Sequence, residues 1–322
     1  MKAVVTGASG FIGSRLVEYL FRRGWDVRVL IHNRSLDMDK RVVTVKGDIR
    51  DPFSLKTAFQ DRDILFHLAA ALGGSLLDKK EFADINQAGT VNVMNEARSS
   101  GIKKVIHFSS AGVLGAVEKK TAAEESYPSS PKNIYDRTKL EGEKAALKFA
   151  SEGMDISVIR PGWVYGPGDK RTFKLIKAIA KKRFILVTKG DIRQTPIFID
   201  DLVEGTLLCA EKGRSGEIYH LAGSEVLTIK KIAAQIAEAS GVKYPSIPIP
   251  LFSIKGSAFL LEKAFYLFKK EAPLTRGKLA FFIYPKPLSI DKSQKELGFY
   301  PKTNFASGIK KTVQWYREQG WI

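Results

Sequence analysis

Tyr135 and Lys139 stand four residues apart in YDRTKLEGEKAALKFASEG, a stretch whose spacing of apolar positions predicts a helix ending at a glycine. Residues four apart on a helix share a face, so the phenol and the ammonium should meet side by side. A neighbouring ammonium favours phenolate and should bring a phenol pKa of about 10 down toward neutral pH. A phenol in that state can give or take a proton at a substrate oxygen, which is the work of a general acid–base. Ser110 closes the run KVIHFSS, which reads as a buried strand, and a hydroxyl at a strand's C-terminal edge can orient the same oxygen. Singly, these are an exposed Tyr–Lys helix pair and a strand-end serine. In this order along one chain they outline a catalytic centre.

Such a centre needs a reaction partner held beside it, and the start of the chain is built to hold one. Thr6-Gly7-Ala8-Ser9-Gly10-Phe11-Ile12-Gly13 follows the strand AVVTG and opens the helical stretch FIGSRLVEYLFRRG. Gly7 permits a tight turn, Gly10 lets a pyrophosphate approach the backbone, and Gly13 lets the helix pack closely on the sheet. The unpaired N–H groups of the helix N-terminus then face the phosphates. Sites of this kind that take NAD carry Asp or Glu at the end of the second strand, where it accepts from the ribose 2′-hydroxyl. Here that strand, VRVLI, runs out in Ile31-His32-Asn33-Arg34. A carboxylate there would repel a 2′-phosphate, whereas Arg34 can bind one bidentately with His32 assisting. The plainer alternative makes Arg34 a solvated loop residue. The reading favours NADP(H) and leaves NAD(H) open.

The elements that must position these groups are written in the same alternation. AVVTG, VRVLI, VVTVKGD, ILFHLAA, KVIHFSS and ISVIRPG are short, β-branched and ended by Gly, Asp or small residues, as buried parallel strands are. Helical stretches lie between them: FIGSRLVEYLFRRG, FADINQAGTVNVMNEARSSG and YDRTKLEGEKAALKFASEG. The expected fold class is α/β, a Rossmann-type doubly wound parallel sheet with a smaller, interleaved C-terminal substrate lobe. Residues 1–165 are expected to form the dinucleotide-binding part, rejoined by segments near 195–222, and residues 166–322 mainly the substrate lobe. Beyond Gly166 the helices TFKLIKAIAKKR, PIFIDDLVEGTLLCAEKG (after a strand), TIKKIAAQIAEASG and SGIKKTVQWYRE follow, with YPSIPIP as an extended connector.

The GxxGxxG spacing, together with Asp48-Ile49, HLAA (67–70), Asn86…Gly89-Thr90, FSSAGVLG (108–115), Tyr135-Asp136-Arg137-Thr138-Lys139 and RPGWVYGPGD (160–169), resembles the extended short-chain dehydrogenase/reductase superfamily, the NAD-dependent epimerases and dehydratases. The resemblance runs along the whole chain. It implies a nicotinamide cofactor contacted by Gly7, Ser9, Gly10, Phe11, Ile12 and Gly13, with Asp48 and Ile49 flanking the adenine. Leu68, Ala69 and Ala70 would line it, Tyr135, Pro161 and Val164 would touch it, and Lys139 would hold the nicotinamide ribose. Hydride would pass between nicotinamide C4 and a carbinol or carbonyl carbon while Tyr135 handles the proton. Thr138 stands where the family usually has Ser, a tolerable change. Leu114 stands where the serine loop often has Tyr, and an altered pocket wall is expected from it.

The substrate side departs further. Nucleotide-sugar members place Asn after the sixth strand and an Arg-x-Tyr-Ile-His-type stretch later; this chain has Trp163 and Gln194-Thr195-Pro196-Ile197-Phe198. A substrate phosphate loses partners and a flat or lipophilic substrate gains an aromatic wall, with Ser110, Gly112 and Trp163 lining the site. Ala272-Pro273-Leu274-Thr275-Arg276 and Leu288 to Phe299 resemble the 3β-hydroxysteroid dehydrogenase-like and dihydroflavonol reductase group. The expected activity is therefore an NADP(H)-dependent exchange of hydroxyl and ketone on a sterol-like, polyketide-like or flavonoid-like substrate. The alternative is a nucleotide-sugar epimerase or dehydratase that keeps NAD tightly bound. A non-catalytic cofactor sensor is a third class, and the intact Tyr–Lys pair argues against it.

The chain carries 52 Lys+Arg against 34 Asp+Glu, a net charge of +18. Residues 1–160 hold 25 against 20 and residues 161–322 hold 27 against 14, so the second half is the basic one. A basic half suits an anionic partner, or is only a set of solvated lysine faces. LFSIKGSAFLLEKAFYLFKK interleaves aromatic and aliphatic residues with lysines, as an interfacial helix on anionic lipid would, or as a core helix over the substrate lobe would. Aromatic–basic interleaving of the strand-binding kind is missing, and no nucleic-acid partner is expected. Cys209 is the only cysteine and the four histidines lack ligand spacing, so no metal site is expected and a reducing compartment is. With no visible signal peptide and no long uncharged apolar run, the expectation is a cytoplasmic protein, peripheral at most to a membrane. A homodimer through the Asn86–Ser99 and Tyr135–Ala150 helices is the expected assembly.

Overall fold

Six short apolar runs and one later strand build the central layer. The computed structural model describes residues 1–33, 41–72, 77–118, 121–184, 186–187, 189–244, 248–249 and 276–322. The strands are β1 (Lys2–Thr6), β2 (Asp26–Ile31), β3 (Val43–Lys46), β4 (Ile64–His67), β5 (Lys104–Phe108) and β6 (Ile156–Pro161). After β7 (Trp163–Tyr165) and β8 (Pro196–Phe198), β9 (Ile218–Leu221) returns to the same sheet. The order is β9-β6-β5-β4-β1-β2-β3, with every neighbouring pair parallel. The chain winds outward from β1 in one direction and then crosses to β4 to wind in the other. That crossing leaves a crevice beyond the C-terminal ends of β1 and β4, where ligands of doubly wound sheets bind.

Alternation along the strands feeds two cores. Ala3 and Val5 of β1, with Phe66, Ile106 and Ile159, join a large cluster that includes Leu16, Val17 and Leu20 of helix α1 (Phe11–Arg22). Val4, Leu65, Val105 and Ile156 face the other way, onto Val93 and Met94 of α2 (Gly89–Ser99) and Phe149 of α3 (Ile134–Ser151). The first cluster continues into the C-terminal half through α4 (Lys170–Ala180), α5 (Ile199–Lys212), α6 (Ile229–Ser240) and the final helix Phe305–Glu318. β7 pairs in parallel with β8 apart from the main sheet, while β9 rejoins the sheet edge.

The stretch expected to be helical from Phe82 begins at Lys79 and passes through a π turn at Asp84–Ala88, which was not expected. Two further helices, α7 (Arg276–Ile283) and α8 (Asp291–Leu297), lie in the tail, where only motif-like stretches were read. Of YPSIPIP, Pro248–Ile249 pairs in parallel with Leu186–Val187. The lysine-interleaved LFSIKGSAFLLEKAFYLFKK, Ala272 to Thr275 and Arg34 lie outside the described residues.

Candidate active site

The turn after β1 has no room for side chains. Gly7 has φ +73°, and a Cβ on it would lie 2.6 Å from the Ala69 backbone nitrogen. One on Gly13 would lie 2.2 Å from the Gly7 carbonyl oxygen. The chain after β4 (Leu68, Ala69) therefore lies against the glycine turn, and α1 begins flush with the sheet. Gly10 caps α1 without a side-chain hydrogen bond, and no acidic residue occupies the first turn. The helix N-terminus thus offers backbone N–H groups and a positive dipole end to an anion. Gly7, Ser9, Gly10, Phe11, Ile12, Leu68, Ala69, Ala70, Pro161 and Val164 are all partly exposed along the crevice. Ile49 is buried, its side chain filling the space a Cβ on Gly89 would take. At the far end the exposed His32 pairs with Asp48 (Nε2–Oδ2, 3.1 Å), which Arg50 also holds.

The three candidate catalytic residues come together at the other end of the crevice. Ser110 leaves β5 extended, and its Oγ accepts from the Gly112 N–H at 3.0 Å. Its side chain is also hydrogen-bonded to the Tyr135 phenol. Asn133 caps α3 by accepting from the Asp136 N–H at 2.9 Å, which places Tyr135 in the first turn, where the helix dipole favours an anion. Lys139 follows one turn on, 4% exposed, its ammonium donating to the Phe108 carbonyl.

Here the electrostatics correct the sequence reading. Burial pushes the Tyr135 phenol above its ordinary value; Arg171 is the cation that pulls it down, Asp136 raises it, and the Ser110 hydrogen bond lowers it. Lys139 is turned to the Phe108 carbonyl rather than to the phenol, and burial pushes the ammonium down to about 8 against the opposing pull of Glu143. Shared helical face does bring Tyr135 and Lys139 to one side, but the depressed phenol pKa expected from their contact is not found. A Cβ on Gly112 would sit 1.9 Å from Asp136 Oδ1, so that side of the glycine is filled by the carboxylate. Leu114 is fully buried in a small cluster with Val113, Val117 and Leu288.

Beneath these residues runs a polar layer that sequence reasoning missed. Thr6, His67 and His107 stand in register across β1, β4 and β5. His67 bonds Thr6 Oγ1 through Nδ1 (2.8 Å) and Thr90 Oγ1 through Nε2 (3.2 Å). Asn86, in the π turn, accepts from the Ala71 N–H (2.7 Å) and donates to Thr138 Oγ1 (3.0 Å), while Thr138 donates to the carbonyls of Ile134 and Tyr135. Burial and then the Lys139 charge push His67 down to about 3, and His107 lies well below its ordinary value for the same reasons. Glu143 and Arg160 form an ion pair below Lys139. The signal for Glu143 was available: it continues the Tyr135, Lys139 series by another four residues.

On the substrate side Trp163 packs at 4.8 Å (ring centroids) on Phe281 of α7 and at 5.9 Å on both Tyr165 and Phe305. Gln194 holds α7 in place by donating to the carbonyls of Phe281 (2.7 Å) and Tyr284 (3.0 Å). Gln194 and Thr195 are thus buried clamps, Thr195 Oγ1 accepting from the Leu288 N–H at 2.9 Å. Among the described residues, no group of three or more His, Cys, Asp or Glu converges on a metal position, and no helix is long and apolar enough to cross a membrane.

Sheet order and crevice are those of a doubly wound nicotinamide-dinucleotide enzyme. The chain belongs to the NAD dependent epimerase/dehydratase family, whose profile matches residues 3–222, and it is an NAD(P)-dependent oxidoreductase of the extended short-chain dehydrogenase/reductase type. It is similar to sterol demethylase protein B of Methylococcus capsulatus, at 32% identity with 100% of both chains covered. It is also similar to a 4-hydroxy-2-methyl-3-oxo-4-farnesyl-3,4-dihydroquinoline-1-oxide ketoreductase of Stigmatella aurantiaca, at 28% identity over 96% of this chain and 95% of that one. The solved structure of the dTDP-glucose 4,6-dehydratase DesIV from Streptomyces venezuelae, with NAD and TYD bound, matches with TM-score 0.82 and 26% identity over 100% of this chain and 98% of that one.

Proposed function

We propose that this enzyme interconverts a hydroxyl and a ketone on a lipophilic substrate, sterol-like, polyketide-like or flavonoid-like, with NADP(H) as its cofactor. The observation that carries the reading is the hydrogen bond between Ser110 and Tyr135 with Lys139 one helical turn on; the Trp163–Phe281 ring pair suits a lipophilic substrate. The two similar proteins named for sterol and quinoline chemistry support the same substrate class.

The crevice suits a dinucleotide. Gly7 and Gly13 bring the backbone where a Cβ would collide, while a Cβ on Gly10 meets only the Gly7 carbonyl oxygen, at 3.2 Å, leaving space over the helix end. Gly10, Phe11 and Ile12 would hold the pyrophosphate, Asp48 and Ile49 the adenine, and Lys139 the nicotinamide ribose. The 2′-phosphate would fall to His32, already oriented by Asp48, and to Arg34. Bound there, the nicotinamide supplies or takes the hydride. Ser110 fixes the substrate oxygen, and Tyr135 delivers its proton in reduction or removes it in oxidation. The raised phenol pKa keeps Tyr135 protonated at neutral pH, the form that donates to a ketone oxygen.

The test is NADPH oxidation with steroid, β-ketoester and flavanone ketones as substrates. Turnover should appear with NADPH, and Tyr135→Phe should lower kcat by roughly 10²–10⁴-fold. A protein that keeps NAD through purification and converts a nucleotide sugar without net cofactor turnover would overturn the proposal in favour of the epimerase or dehydratase alternative.

A further inference from the structure

An ion pair lies directly under the reaction centre, and nothing in the proton chemistry above uses it. Glu143, 2% exposed, accepts from Arg160 Nη2 (2.5 Å) and Nε (2.9 Å) and from the Ser109 hydroxyl (2.5 Å). Arg160, 3% exposed on β6, gives its remaining Nη1 to the Glu125 carbonyl at 3.0 Å. Removing two charges from water is expensive, and a well-packed apolar pair of the same volume commonly holds a fold as well or better. Stability alone therefore accounts poorly for an ion pair at this depth. Its location accounts for it better. Ser109 is the neighbour of Ser110, and its N–H donates to the Ile159 carbonyl at 2.8 Å, so β6 and Glu143 together grip the strand end that carries the Ser110 hydroxyl. Glu143 also lies one helical turn beyond Lys139 on the same face of α3.

We propose that the Glu143–Arg160 pair is the positioning device of this site: it clamps Ser109 and so Ser110, and its carboxylate is the counter-charge that keeps the buried Lys139 an ammonium. The proposal rests on the reading of Ser110, Tyr135 and Lys139 as the catalytic residues. Lys139 faces Glu143 from its own helix, His107 from β5, His67 from β4, and the Phe108 carbonyl. Both imidazoles are neutral near pH 7, so the opposing charge comes from Glu143. On its far side Arg160 faces the Glu125 carboxyl and His220, whose imidazole is also neutral. The cluster then holds two cations, Lys139 and Arg160, against Glu143 beside both and Glu125 on the far side of Arg160, and removal of Glu143 or Arg160 has a predictable sign. Loss of the Glu143 charge leaves Arg160 only Glu125 as a counter-charge and drives the Lys139 pKa down. Loss of the Arg160 charge leaves the whole carboxylate to Lys139 and drives it up.

The experiment follows Lys139 itself in the full chain, by ¹³C NMR of reductively methylated lysines, with the resonance assigned from Lys139→Arg, and in parallel the pH profile of kcat for ketone reduction. Glu143→Gln should move the Lys139 titration to lower pH by about one unit, a tenfold change in its protonation constant. Arg160→Met should move it to higher pH by a similar amount, and the double variant should return it to near the wild-type value. The alkaline limb of kcat should track all three while the KM for ketone holds. If either single variant fails to fold, the double variant and Glu143→Asp decide the matter. The first keeps the wild-type titration with a lower kcat because the Ser109 clamp is lost. The second keeps the titration and loses kcat through slack at Ser109. Shifts of the same sign in both single variants, or an unmoved Lys139 resonance, overturn the proposal. A wild-type protein whose Lys139 titration responds as described but which reduces no ketone overturns the functional reading and leaves the positioning role standing.

Discussion

Gly7, Gly10 and Gly13 do three different jobs, and substitution should separate them. Gly7 is set by its positive φ and by the Ala69 backbone against it, and Gly13 by the Gly7 carbonyl, so a methyl at either displaces main chain. Gly10 meets only that same oxygen, at 3.2 Å, and its space opens toward the helix terminus. Gly10→Ala should therefore fold with a melting temperature within a few degrees of wild type while weakening NADPH binding by about tenfold or more, since its methyl occupies the approach of the pyrophosphate. Gly13→Ala should lose both, at a cost of about 1–3 kcal/mol from overpacking. Thermal melts paired with cofactor fluorescence titrations distinguish the two. Equal destabilisation by both would mean that Gly10 serves the turn and not the ligand.

At the scale of elements, the polar row Thr6–His67–His107 is a cost the sheet carries for its position under α3. His67 is held near pKa 3 and His107 well below its ordinary value, which for an imidazole is about 6.5. With the folded value depressed, the unfolded chain takes up the proton first as pH falls. The stability is complete above about 6.5 and is lost steadily below it, on the order of 2 kcal/mol for His67 by pH 5, with His107 acting in the same direction. Among the described residues neither ring nitrogen of His107 has a hydrogen-bond partner, so His107→Phe should hold its stability at pH 7 and flatten the acid limb. Urea midpoints at pH 7 and pH 5 read this directly, and an unchanged slope would rule out His107 as a source of acid lability. The strands and their order were legible because six short β-branched runs with helices between them admit one winding. The π turn at Asp84–Ala88 was not, since it exists to put Asn86 between Ala71 and Thr138, a demand of packing that leaves no periodicity of its own. Helix α8 is polar and only seven residues long, so its stretch was read as motif. Glu143 could be counted out along α3 from Tyr135, but its partner Arg160 comes from a strand, and only the fold brings the two together. The sequence likewise named Lys139 while its turn to the Phe108 carbonyl, which undoes the expected effect on Tyr135, is a matter of tertiary geometry.

Across the whole molecule the charge is lopsided, with a surplus of 13 positive charges in residues 161–322 against 5 in residues 1–160. The half that carries the α1 terminus is thus nearly balanced, and the field drawing anions comes mainly from residues 161–322. Such a field speeds the encounter with a charged ligand and is screened by salt, because the Debye length shrinks from about 30 Å at 0.01 M to about 3 Å at 1 M. The expected outcome is a kcat/KM for NADPH that falls several-fold between low and high ionic strength while the KM of an uncharged ketone stays put. NADH gives the internal control. It shares the pyrophosphate that the α1 terminus receives but lacks the 2′-phosphate assigned to His32 and Arg34. If the end of β2 reads that phosphate, the salt dependence for NADPH must be steeper than for NADH, and Arg34→Ala must bring the two slopes together without changing the NADH slope. Parallel slopes in the wild-type protein would leave the 2′-phosphate unread, and the lack of an acid after Ile31 would then carry no cofactor preference.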